Sequence, residues 1–347
     1  ALGAHVRQLK EAMLAAVRQN LPISAETVSY EAAVNLFGQA GQTDKLNLLA
    51  HRNPPIVCLT KCGAFRELSQ EALVPRTGLL DTFDLIPHAQ GFVLNVPHSA
   101  NPRELQPLPP FEYLFDVYKE HIEWGAIVGI TTVGQLNQAV IELRADDFIH
   151  TMEALHDKKL GRIADQITQR AHPVKLVLVA GPSSAGKTTF AKRLVTHLRV
   201  NGCKPLLIST DNYFVGDELN PRDEDGKLDY EHIEAMDLKR LSGDLLGLMA
   251  GEPVRMRGFD FEEKRGFDQA EPTRLPPGGI IVMEGIHCLN PRLAADIRRE
   301  DKFLIYVNAL TQLGVDSSNR ISTNDTRVIR RIVRDHQFRG RPAIETL

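Results

Sequence analysis

Residues 176–194, LVLVAGPSSAGKTTFAKRL, constrain the fold of this chain more than any other stretch. A β-branched run stops at a glycine-rich turn, and a helical pattern starts directly after it. Gly181, Gly186, Lys187 and Thr188 fit the spacing G-x-x-x-x-G-K-[ST], the P-loop. Glycines let such a backbone curl until its N–H groups converge on an oxyanion. Pro182, Ser183, Ser184 and Ala185 form the body of the loop, and Lys187 reaches the outer phosphates. Thr188 and Thr189 open a helix whose positive end faces the same anion, and the Thr188 hydroxyl suits Mg²⁺. At average residue usage, the four fixed positions arise by chance in a chain this long about once in a hundred. The flanks narrow that further. Residues 174–180 (VKLVLVA) predict a buried parallel strand, and Phe190, Leu194 and Leu198 recur at helical spacing. The chain handles a nucleotide.

At 347 residues it is long enough for two domains, each with its own core. Its 41 basic and 44 acidic residues leave a net charge of −3, so bulk attraction to nucleic acid or anionic lipid does not follow. Four cysteines, Cys58, Cys62, Cys203 and Cys288, are too scattered for a disulfide framework. There is no run of 18 apolar residues and no apolar signal region at the amino terminus. These features point to a reducing, cytoplasmic setting with no membrane partner and with ATP as a substrate. The abrupt start at Ala1 and the stop at Leu347, just after an arginine-rich helix, suggest a piece of a longer protein.

Three regions are expected. Residues 1–100 are mixed α/β, with an amphipathic stripe of Val6, Leu9, Met13 and Val17 and a second helix capped by Ser29 that holds Ala33 and Leu36. Strands are predicted at 55–60 and 91–96. The proline-rich 97–110 marks a boundary, and 101–171 form a connector that becomes helical, with Phe148, Met152, Leu155, Ile163 and Ile167 in a stripe. From 172 to 347 strands and helices alternate, at 174–180, 187–200, 204–210, 236–250, 279–283, 303–307 and 324–338. That alternation predicts an α/β fold, a parallel sheet with helices on both faces.

Three further features surround the P-loop. KPLLIST-DNYF (204–214) is an apolar strand ending at Asp211, and ligands of open parallel sheets sit beyond the carboxyl ends of strands. A carboxylate there can take a proton from an attacking hydroxyl or hold a metal through water; the alternative is that Asp211 and Asn212 only form a turn. GGIIVMEGIH (278–287) ends another strand at Glu284, a carboxylate aimed at Mg²⁺, while His287 reads as structural and Cys288 as unactivated. On the helix at 324–338, Arg327, Arg330, Arg331 and Arg334 share one face, with Asp335 offsetting only part of the charge. Phosphate supplies the missing compensation if this helix is a lid, with Arg339 and Arg341 flanking Gly340. A solvated basic face or an RNA patch is the other reading. N-K-x-D, the guanine-specificity motif, is absent, so the phosphoryl acceptor is expected to be a small alcohol rather than water.

GPSSAGKTTFAKRL, ISTDNYF, VMEGIH, RRIVRD and RGR, in that order, resemble the uridine kinase and phosphoribulokinase-like branch of P-loop kinases over about residues 172–347. The resemblance implies an ATP:nucleoside 5′-phosphotransferase with five parallel strands, a hinged lid, and ATP and Mg²⁺ as ligands. It implies that Asp211 is the base on the ribose 5′-hydroxyl, with Tyr213 beside it, and that Asp229 holds ribose hydroxyls. Lys187 and the lid residues Arg331, Arg334, Arg339 and Arg341 then serve phosphates and substrate, and Thr188, Asp211 and Glu284 serve the metal. The family's Tyr-Asp-Phe segment here reads Phe259-Asp260-Phe261, and Lys264 occupies the place of a base-contacting histidine. The family's strand after the lid has no counterpart in this sequence.

NLPISAETVSYEAAVNLF and KCGAFRELSQEALVPRTGLLDTFDL resemble the second additional domain of threonyl- and alanyl-tRNA synthetases over about residues 1–100, an α+β editing-domain-like region. That domain's Cys-x-x-x-His pair falls on Ser69 and Leu73, and no H-x-x-x-H exists, so zinc binding and editing are not expected. The leading expectation is a nucleoside 5′-kinase with a small-molecule substrate. A sugar-phosphate kinase and an ATP-switched, RNA-associated regulator remain as alternatives. tRNA is disfavoured as a partner because Lys and Arg in the first 150 residues are dispersed among acids, and self-association is left open.

Overall fold

The computed structural model of the chain describes residues 2–51, 54–69, 73–109, 112–260, 263, 265–311, 313–340 and 342–345, without the side chains of Phe338, Arg339 and Glu345. Two compact units result, Ala1–Phe148 with Gln312–Arg320, and Ile149–Thr311 with Ile321–Leu347. The expected boundary near 97–110 is therefore not where the units part. The helices that follow it belong to the first unit, where Trp124 and Ala139 of those helices and Ile130 between them are buried.

In the first unit, α1 (Leu2–Gln19) carries the predicted stripe, but only Val6 of it is buried. β1 (Ile23–Ser29) runs into α2 (Tyr30–Gln39), whose cap is Ser29 as expected: its hydroxyl accepts from the Ala32 N–H. α3 (Thr43–Ala50), β2 (Ile56–Cys62) and β3 (Phe65–Leu68) follow. The three strands pair antiparallel in the order β1-β2-β3. Val57, Leu59 and Leu68 turn one sheet face onto Ala33, Phe37 and Leu49 of the helices, as strand alternation requires. β4 (Asp84–His88) and β5 (Gly91–Asn95) form a separate antiparallel pair. α4 (Glu112–Val128) and α5 (Val133–Ile141) complete the unit, α5 beginning at a capping box of Thr132 and Gln135. α6 (Ala145–Thr168) then leads into the second unit.

In that unit, β6 (Leu176–Ala180), α7 (Lys187–Val200), β7 (Lys204–Ser209) and α8 (Leu238–Met249) follow the predicted alternation. A short hairpin of β8 (Arg257–Asp260) and β9 (Arg265–Asp268) intervenes before β10 (Gly279–Glu284) and β11 (Lys302–Tyr306). α9 (Thr323–Arg339) comes last. The sheet order is β11-β6-β10-β7, every pair parallel, four strands among the described residues. Alternation within β6 sorts the core: Val177 and Val179 pack with Leu160 and Ala164 of α6 and with Ala191, Leu194 and Leu198 of α7. Leu176, Leu178 and Ala180 face the other way, onto Leu241, Leu245 and Leu248 of α8. A strand buried on both faces reads as a continuous apolar run, which is why LVLVA was legible.

Entry into β11 is fixed by Asp301, whose carboxylate accepts from Arg298 Nε at 2.9 Å and sits 2.9 Å from His172 Nε2. Hydrogen bonding from Arg298, then from His172, holds its carboxyl down at about 2. A depressed carboxylate contributes stability above its unfolded value and loses it as the pH falls through the folded one. Asp301→Asn is therefore expected to lower the melting temperature at pH 7 and to close that gap as the pH approaches 2. Thermal scans at several pH values check this; a gap that stays constant with pH contradicts it.

Candidate active site

β6 delivers the chain to Gly181 at the carboxyl edge of the sheet. A Cβ on Gly181 would lie 2.0 Å from the Val307 carbonyl oxygen, so the segment leaving β11 presses directly on the loop. Ala185 N–H closes a turn on the Pro182 carbonyl at 3.2 Å. Gly186 then takes φ 95°, a left-handed conformation suited to glycine, and starts α7 with no side-chain cap. The first amides of α7 thus meet no capping side chain, an arrangement that favours an anion. Lys187 bends back, its Nζ donating to the Pro182 carbonyl at 3.1 Å. Burial lowers the pKa of this ammonium, and the nearby Glu284 and Asp211 carboxylates oppose that effect.

The parallel register sets Glu284 of β10 beside Ser209 of β7 and Val179 of β6. Thr188 and Ser209 hydroxyls both donate to Glu284 Oε1 at 3.1 Å, joining the loop to two strand ends. Burial, then the neighbouring Asp211, raises the Glu284 pKa. Ser209 also accepts from the Asp211 N–H at 3.4 Å, capping a 3₁₀ turn over residues 210–213. Asp211 is half-buried and within electrostatic reach of Lys187, Glu284 and His287.

Tyr213 is a correction. Its side chain is fully buried and its hydroxyl donates to Asp244 Oδ2 at 2.9 Å, so it belongs to the core under α8 and not to a substrate surface. Burial pushes its phenol far above the ordinary range. Phe214, one residue on, makes the aromatic surface instead, with its ring centroid 5.9 Å from Phe259 and 6.1 Å from Tyr230. Asp229 accepts from the Glu231 N–H at 2.9 Å and, like Asp211, acts on His287. Phe261 and Lys264 lie outside the described residues.

α9 lies over the loop. Arg327 Nε donates to the Ser183 carbonyl at 3.4 Å and Arg330 Nε to the Ser184 carbonyl at 3.1 Å. Arg330 and Arg334, with Ile329 and Val333, line a cavity of about 360 Å³ whose other wall is Ser184, Gly186, Lys187, Thr188 and Thr189. Arg334 also pairs with the buried Asp335 at 2.7 Å. Arg331 does not line the cavity; it is half-exposed, 3.8 Å from Asp335. The Arg339 side chain and Arg341 lie outside the described residues. Part of the compensation that the arginine face requires thus comes from loop carbonyls and Asp335. Ser209, Phe214 and Val307 were missed by sequence reasoning; only Ser209 left a signal, a hydroxyl immediately before a turn at a strand end.

Residues 176–346 match the Phosphoribulokinase / Uridine kinase family. A uridine kinase of Deinococcus deserti is 30% identical over 163 residues, 47% of this chain and 69% of that protein. A uridine kinase of Lactobacillus helveticus is 28% identical over 166 residues, 48% of this chain and 70% of that protein. Among solved structures, a possible uridine kinase from Bacillus stearothermophilus overlays with a TM-score of 0.38 at 19% identity, over 52% of this chain and 89% of that one. The buried carboxylate that ties the phosphate loop to its neighbouring strands, and the relatives that share this half of the sequence, agree: the chain belongs to the phosphoribulokinase and uridine kinase family.

Proposed function

We propose that this chain is an Mg·ATP-dependent kinase that transfers the γ-phosphoryl group to the 5′-hydroxyl of a nucleoside. The observation that carries this reading is the Thr188–Glu284–Ser209 hydrogen-bonded node at the foot of the loop, with Asp211 just beyond it. A hydroxyl and a carboxylate are the oxygen donors that Mg²⁺ takes, so Thr188 and Glu284 would hold it, with Asp211 acting on its water shell. When bound, the metal neutralises charge on the transferring group.

The protein's own groups do the remainder. The loop from Gly181 to Thr189 and the Lys187 ammonium bind the phosphates, and the uncapped start of α7 favours their charge. Asp211 takes the proton of the acceptor hydroxyl as that oxygen bonds to phosphorus and the bond to the ADP oxygen breaks. Arg330 and Arg334 face the loop across the cavity and stabilise the charge that leaves with ADP. Ile329 and Val333 give the same cavity an apolar wall suited to a purine ring. On the acceptor side, Asp229 would hold ribose hydroxyls, and Phe214, Tyr230 and Phe259 offer ring faces to a base. Arg331, Arg339 and Arg341 keep their proposed lid role toward substrate. Phe259 lacks the hydroxyl that tyrosine would bring, so base recognition rests on stacking.

ADP release measured across a panel of nucleosides, ribose phosphates and tRNA tests this. The expected result is ADP formation that depends on a nucleoside and yields its 5′-monophosphate. Turnover with a ribose phosphate alone would move the assignment to a sugar-phosphate kinase. Stimulation by tRNA without a phosphorylated small molecule would overturn it. No described helix is long and apolar enough to cross a membrane.

A further inference from the structure

Within the second unit, one buried carboxylate serves two elements that flank the candidate site. Asp244 of α8 is 6% exposed. Its Oδ2 accepts from the Tyr213 hydroxyl and its Oδ1 from Arg240 Nε, both at 2.9 Å. Tyr213 closes the 3₁₀ turn that carries Asp211. Backbone bonds seal the same joint: Asp237 N–H donates to the Tyr213 carbonyl and Val215 N–H to the Ala235 carbonyl, each at 2.8 Å. The Asp237 carboxylate then caps α8 at the Arg240 N–H.

Arg240 carries the connection outward. Its Nη2 donates to the Arg255 carbonyl at 2.7 Å and lies 3.1 Å from Asp268 Oδ1. Arg255 lies two residues before β8 and Asp268 ends β9, so one guanidinium grips both arms of the hairpin. That hairpin pairs only four residues on each side, and a ribbon so short is marginal without such support. The Asp268 pair is half-exposed and adds little alone; the buried Asp244 fixes the guanidinium. Burial works against the Arg240 charge, and Asp244, then Asp268, overcome it and hold its pKa up. Phe259 of β8 in turn meets Phe214, the residue that follows the turn.

We propose that Asp244 and Arg240 are positioning residues for the phosphoryl acceptor. Through Tyr213 the pair fixes Asp211, the proposed base; through the hairpin it fixes Phe259, the proposed ring face for the acceptor. The two sides of this node govern different steps. A loosened hairpin weakens acceptor binding, whereas a loosened turn misplaces the base. Neither link runs through the phosphate loop, so ATP affinity is spared. This rests on the kinase reading, and its test includes a readout that needs no turnover.

Arg240→Ala, in the full chain, is expected to raise KM for the nucleoside about tenfold, the cost of ordering a loosened wall on binding, with KM for ATP within about twofold of wild type. Arg240→Lys restores a charge beside Asp244 but offers one point in place of a fork. It therefore regains the melting temperature lost in Arg240→Ala and leaves the nucleoside KM raised. Tyr213→Phe, which cuts only the hydroxyl bond, lowers kcat about tenfold through the misplaced base and leaves the nucleoside KM near wild type. Amide exchange over 257–260 and 265–268 speeds up in Arg240→Ala while that of α7 does not. Nucleoside and ATP constants that rise together would reduce the pair to general stability and overturn the proposal. So would unchanged hairpin exchange, or an Arg240→Lys variant whose nucleoside KM returns to wild type. If Arg240→Ala fails to fold, Arg240→Lys and Tyr213→Phe still decide. A chain that binds ATP but never forms ADP with any nucleoside ends the kinase reading, and hairpin exchange then still supports or sinks the clamp.

Discussion

Asp211→Asn should lower turnover by roughly 10²- to 10⁴-fold while leaving ATP affinity nearly intact, the range seen when a positioned base is lost. The substitution keeps the volume of the side chain, and the backbone bond from residue 211 to the Ser209 hydroxyl does not involve the carboxylate. The turn over 210–213 therefore persists, and so does the buried Tyr213–Asp244 bond that anchors it. What disappears is the group proposed to take the acceptor's proton. Removing its charge also removes one of the two causes that raise the Glu284 pKa, so Glu284 should ionise more readily, not less. Turnover and nucleotide affinity measured on the same preparation separate these effects. Wild-type turnover in the variant would take Asp211 out of the chemistry.

Gly181→Ala is the second large effect. The added methyl would meet the Val307 carbonyl oxygen at 2.0 Å and Lys187 Cγ at 3.4 Å. Because the first obstacle is backbone, no side-chain rotation relieves it. Either the segment after β11 or the loop must shift, and the loop amides and Lys187 move with it. A misplacement of about 1 Å in a positioned group costs on the order of 10² in rate, so kcat/KM for ATP should fall about a hundredfold. Overpacking of this kind costs about 1–3 kcal/mol of stability, so the fold should survive. Steady-state kinetics beside a thermal melt distinguish loss of the loop from loss of the protein. A folded variant with wild-type kcat/KM would mean that the loop does not need its observed path.

The phosphate side of the site was legible because its signals are local. Gly181 and Gly186 punctuate a strand–turn–helix unit, and the helix starts at Lys187 as the spacing predicts. The apolar runs at 204–209 and 279–284 each end on a polar group, and the parallel register brings those ends together. The proposed acceptor side was less legible. Tyr213 is adjacent to the site in sequence, but a 3₁₀ turn rotates about 120° per residue, which carries it from the site of Asp211 into the core. On α9, neighbouring arginines diverge by about 100°, so the pattern marks a cationic stripe without saying which members face the loop. The burial of Asp335, a tertiary matter, draws Arg331 aside. The contacts that Asp316 and Ser317 make with Lys45 and Asp44 were invisible for a deeper reason. VDSSN announces a turn but says nothing of Asp44 and Lys45, which lie in the opposite half of the chain. In β1, ISAETVS alternates too weakly to declare a strand before β2 pairs with it.

Transfer of label from γ-³²P-ATP, with the product resolved chromatographically, tests the central claim most directly. The account predicts label in a nucleoside 5′-monophosphate, formed by the wild-type protein with Mg²⁺ and nearly lost in Asp211→Asn. Label released only as inorganic phosphate, at one rate with or without any hydroxyl acceptor, would contradict it.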